Sequence, residues 1–124
     1  MAAFDADRVS RTVTGALSGP GGIALVVNVF AGLPGVAHTA ARRGVFRSQP
    51  ARLQIGDWRY EVTPDDRLSA AHVVGGIVIA EAVLLAGAVG PHLARSLGQI
   101  VDRHGPAVIP NIDAALDALS ASAG

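Results

Sequence analysis

The chain has 124 residues, half of them hydrophobic and 16% charged, with ten basic and ten acidic side chains that cancel and no cysteine. That length fits one domain, because two separate cores would each fall near the lower limit of independent folding. Zero net charge argues against a general affinity for nucleic acid, and the lack of cysteine excludes disulfides, thiolate metal sites and cysteine nucleophiles while fitting a reducing, cytoplasmic setting.

A mean hydropathy of +0.40 leaves more apolar surface than so small a monomer readily buries, so the surplus points to an oligomer interface or to lipid. All ten basic residues are Arg, a bias that fits a GC-rich genome and carries no functional weight. The first residues, MAAFDADRVS, lack the basic start and apolar run of a secretion signal.

Over 5–17, the apolar residues Ala6, Val9, Val13, Ala16 and Leu17 recur at three- and four-residue spacing, which predicts an amphipathic helix. SGPGG at 18–22 ends it, and 23–33 reads as a second helix, apolar apart from Asn28. Pro34 and Gly35 break that helix, with a further turn or two expected through 38–43.

Between 52 and 62 two short alternating runs, RLQI and WRYEV, flank Gly56-Asp57 and predict a β-hairpin. Trp58, Tyr60 and Val62 share one face of its second strand. A long apolar helix is then expected from Leu68 to Gly90, an amphipathic one from Pro91 to Arg103, and a short last helix capped by Asn111, with 120–124 frayed. The expected fold class is therefore mainly α with a small β-hairpin: four to six helices around a central apolar helix, in a single domain over 1–124.

The resemblance of 21–44 to 75–98, carried by Gly21-Gly22-Ile23 against Gly75-Gly76-Ile77 and His38 against His92, is better explained by shared composition than by duplication.

Projected at about 100° per residue, 73–90 separates a small-residue face from a large-residue face with Glu81 in its middle. A carboxylate in such a setting has to be neutral or find a cation, for which Arg42, Arg43, Arg67 and Arg95 are the candidates. A buried ion pair that fixes helix register is preferred to a general acid or base, since no nucleophile or second acid stands at a readable spacing. As membrane spans, 22–37 and 73–90 would place Glu81 near mid-bilayer at a cost on the order of 3 kcal/mol. Membrane association is the alternative to an interface helix.

His72 and His92 are candidate polar or functional residues, but a metal site with Glu81 is not expected: His72 and Glu81 would point to opposite sides of a helix, and Glu81 and His92 would lie about 16 Å apart. Arg47, Arg52 and Arg59, with Trp58 and Tyr60, form the one candidate contact for an anionic surface; Glu61, Asp65 and Asp66 follow and neutralise it. SGPGG matches no phosphate-binding pattern and no serine sits in a nucleophile motif. No cofactor or metal is expected. The functional expectation is a non-enzymatic protein that self-associates, most simply as a homodimer; a binding protein or enzyme for an apolar small molecule anchored by Glu81 is a further alternative.

Overall fold

The computed structural model describes residues 4–39, 42–43, 48–49 and 51–123. Helix α1 spans Ala6–Leu17, its N-terminus capped by Asp5, whose Oδ1 accepts a hydrogen bond from the Arg8 backbone N–H at 3.0 Å. Helix α2 follows at Gly22–Phe30. Seven strands come next: β1 Ala37–Thr39, β2 Arg42–Arg43, β3 Ser48–Gln49, β4 Arg52–Ile55, β5 Trp58–Val62, β6 Leu68–Val74 and β7 Ile77–Leu84. The chain closes with α3 (Ala86–His104), a short 3-10 turn at Pro106–Val108, and α4 (Ile109–Ala123).

The main sheet is five-stranded and antiparallel, in the order β1-β4-β5-β6-β7, and β2 pairs β3 separately. This corrects the expectation of a mainly helical chain with only a hairpin. The hairpin over 52–62 is present as β4 and β5, but it is the centre of a sheet.

The long apolar helix from Leu68 to Gly90 does not exist: the segment is the β6–β7 hairpin plus the first turn of α3. Two features of the sequence drive that outcome. Val73, Val74, Ile77, Val78, Ile79 and Val83 are β-branched and suit a pleated surface. Gly75 and Gly76 take φ of +58° and +81°, the paired left-handed conformation of a tight two-residue hairpin turn. In place of the turns expected at 38–43, His38 and Thr39 lie in β1, which pairs β4, and Arg42–Arg43 form β2, while 40–41 lie outside the described residues.

The two Gly-Gly-Ile segments adopt different structures, since Ile23 lies in α2 and Ile77 opens β7. Helix α3 runs through Pro91 instead of restarting there, α4 begins before Asn111, and it continues into the tail expected to fray.

The helices pack on one face of the sheet. Val9 and Val13 of α1, Phe30 of α2, Leu93 and Leu97 of α3, and Leu116 and Leu119 of α4 join Leu53, Ile55, Tyr60 and Leu68 in one apolar core. At the crossing of α1 and α3, a Cβ on Gly90 would stand 2.5 Å from the Ser10 carbonyl oxygen, so the two backbones touch there. Arg8 ties α1 to α4 through Asp113 at 3.0 Å and Asp117 at 2.7 Å.

Candidate functional site

The helical layer stops short of one edge of the sheet. Leu53, Tyr60, Ala70 and Ala82 form one cross-strand row on the helix-facing side. The first three are 2%, 1% and 3% exposed, whereas Ala82 is open to solvent. Strand β7 therefore extends beyond its cover, with its far edge unpaired among the described residues. Val74, Ile77, Val78, Ile79, Val83 and Leu85 expose 50%, 67%, 39%, 59%, 52% and 74% of their surface.

The strand is regular only in part. His72 pairs with Ala80 and Val73 with Val78, which leaves Ile79 as the extra residue of a bulge. The other edge strand, β1, is three residues long. At β7 the only charge is Glu81, and no proline or arginine interrupts the strand. Edge strands of natural proteins are usually kept short, charged or covered.

Glu81 thus sits on an exposed edge strand, not in a buried helix face. It faces away from the helices, in the row Gln54, Arg59, Ala71, Glu81. Two of its expected cation partners are elsewhere: Arg67 pairs with Asp65 at 3.3 Å and Arg95 is exposed on α3. Arg42 and Arg43 belong to β2, and Arg47 lies outside the described residues. Among the described residues no ion pair reaches Glu81. Arg52 and Arg59 approach Glu61 at 2.6 and 3.9 Å, so the expected anion contact is a salt-bridged outer face.

His72 and His92 are brought together by the fold, though not with Glu81. Trp58 stacks on His72 with ring centroids 4.6 Å apart and meets His92 edge-on at 4.3 Å. His92 Nδ1 lies 2.6 Å from the Tyr60 hydroxyl, which also bonds to Ser96 Oγ. Burial pushes the Tyr60 hydroxyl's pKa upward against the lowering effect of Ser96. Burial also holds His92 below its ordinary value of 6.5, with the Arg95 guanidinium acting in the same direction. Both hydroxyls are buried, so they bond to each other and to α3 and face no open site. Sequence reasoning missed Ser96 because nothing in its local setting marks it.

Beside the end of β7 an apolar cleft of about 360 Å³ is lined chiefly by Leu17, Ile23, Leu68, Leu84, Leu85 and Val89. Glu81, the expected polar anchor for an apolar small molecule, does not line it. Among the described residues no group of three metal-binding side chains gathers, and no helix is long and apolar enough to cross a membrane, which removes the two-helix membrane reading. Residues 1–121 match a family described as a domain of unknown function, DUF5073. No curated protein and no solved structure matches the chain.

Proposed function

The chain belongs to that family, DUF5073, and we propose that it is a self-associating interaction module whose β7 edges pair antiparallel in a homodimer. The observation that carries this reading is the exposed, apolar edge of β7, unpaired among the described residues. Val74 and Ile77 lie on the helix side and Val78 and Val83 on the opposite face, so pairing along the edge covers part of each face.

A second copy is the occupant because one edge strand serves both partners about a two-fold axis, satisfying the same backbone groups on each. The bulge at Ile79 limits regular pairing to 80–84, whose centre is Ala82. In that register Ala82 meets its own copy, Leu84 lies over the small Ala80, and Glu81 stands opposite Val83. A register centred on Glu81 would instead oppose two carboxylates, which is unfavourable.

Ala82 is exposed, so Ala82→Lys leaves the fold intact while setting two like charges at the axis. Light scattering is expected to show a dimer for the wild type and a monomer for A82K with unchanged circular dichroism. A wild-type monomer at high micromolar concentration sinks the reading. The cysteine-free composition suits a reducing compartment, and we place the dimer in the cytoplasm; recovery of the native protein outside the cytoplasmic fraction would refute that placement.

A further inference from the structure

We infer that the Tyr60 hydroxyl is a reversible relay, donating to His92 when the imidazole is neutral and accepting from it when protonated, so that His92 takes up a proton inside the seam between β5 and α3 without losing its partner.

Three groups form the relay. Tyr60 Oη lies 2.6 Å from His92 Nδ1, bonds to Ser96 Oγ, and stands 3.5 Å from the His92 carbonyl oxygen. Ser96 Oγ in turn reaches that carbonyl at 3.3 Å. Each hydroxyl can donate or accept, whereas a ring nitrogen does one or the other according to its proton. With His92 neutral, the ring nitrogen is the strongest acceptor of the set and the phenol the most acidic hydroxyl. Tyr60 therefore donates to Nδ1, Ser96 donates to Tyr60, and the ring proton sits on Nε2.

Uptake of one proton puts an N–H on both ring nitrogens and a single positive charge on the ring. Nδ1–H then donates to Tyr60 Oη, the Tyr60 proton turns to Ser96 Oγ, and the Ser96 proton turns to the His92 carbonyl. Two hydroxyl rotations complete the change, and every donor keeps an acceptor. A phenol able only to donate would instead set two protons against each other across the 2.6 Å contact.

The surroundings make this bond matter. His92 is met by Trp58 and Tyr60 of β5, by His72 of β6 through the indole on which it stacks, and by Arg95 and Ser96 of its own helix. No carboxylate stands among these groups to hold the proton. Burial and Arg95 both oppose the charged ring, and the relay is what keeps it hydrogen-bonded.

The inference is tested by an NMR titration of the full-length, 15N-labelled protein, with the His92 signals assigned through His92→Gln. Above its transition the His92 ring is expected as the Nε2–H tautomer with Nδ1 unprotonated; a neutral ring protonated at Nδ1 overturns the relay, because the bond would then never change direction. Tyr60→Phe is expected to lower the His92 midpoint by about half a pH unit or more, since the bond to the charged ring is the stronger of the two it removes. A raised or unchanged midpoint is the signature of a phenol that only donates, and it also overturns the relay. Ser96→Ala keeps the phenol and removes the acceptor for its turned proton, leaving only the carbonyl at 3.5 Å. The midpoint is expected to fall in this variant too, which decides the matter if Tyr60→Phe does not fold; a rise or no change there has the same adverse meaning.

Discussion

The Tyr60 hydroxyl of β5 lies 2.6 Å from His92 Nδ1 and also bonds to Ser96 Oγ, so one buried phenol joins the sheet to two consecutive turns of α3. His92 and Ser96 are four residues apart and therefore share a helix face. The contact is polar in the midst of an apolar core, and each group depends on the others for its hydrogen bonds.

Tyr60→Phe keeps the ring and removes the shared oxygen, leaving His92 Nδ1 and the buried Ser96 short of a partner. The expected loss is about 1–3 kcal/mol of unfolding free energy, measured by urea denaturation at pH 7.5. A loss below about 0.5 kcal/mol would show that the network contributes little.

His92 is held below its unfolded value near 6.5 by burial. The unfolded chain therefore binds more protons than the folded one between the two values, and stability rises with pH across that window. The contribution is complete above 6.5 and is lost as pH falls from there through the folded value. His92→Ala is expected to flatten this part of the stability curve. Trp58 is the only tryptophan and touches His92, so a change in its fluorescence is expected to follow the same protonation and to be missing in the variant.

Gly90→Ala brings a methyl group onto the Ser10 carbonyl where α1 crosses α3. Overpacking costs about 1–3 kcal/mol and the gain in helix propensity returns at most about 1 kcal/mol. Net destabilisation is expected in thermal and chemical denaturation. Gly87, in the same helix with nothing within 4 Å of its Cβ position, is the control, and Gly87→Ala is expected to be neutral or stabilising.

Glu81→Gln separates the two descriptions of position 81. A buried ion pair would lose about 3–5 kcal/mol on removal of one charge. An exposed edge residue changes stability by less than about 0.5 kcal/mol, and that smaller effect is the expected result in urea denaturation.

Hydrophobic periodicity placed α1 within a residue of its observed start and identified the buried stripe of α4, Ile112, Ala115, Leu116 and Leu119, because an amphipathic helix at the surface of a core carries its own orientation in its spacing. Gly56-Asp57 marked the β4–β5 turn for a similarly local reason. The segment 68–90 was misread because an unbroken apolar run has no periodicity to choose between helix and strand. Its Gly75-Gly76 pair and the β-branched residues around it were the legible signal, and they outweigh a helical projection that sorts any Ala-, Gly- and Val-rich run into faces.

The sequence by itself determined the span of α1, the β4–β5 turn at Gly56-Asp57 and the buried stripe of α4, and it singled out His72, His92 and Glu81 as polar residues in apolar stretches. Only the tertiary structure decided where these go. Sheet pairing carried Glu81 to an exposed edge and set His72 and His92 around Trp58, while the packing of four helices over β4, β5 and β6 left β7 bare. Those outcomes depend on contacts between residues far apart in the chain, such as Tyr60 with Ser96 and Arg8 with Asp117, which local spacing does not encode.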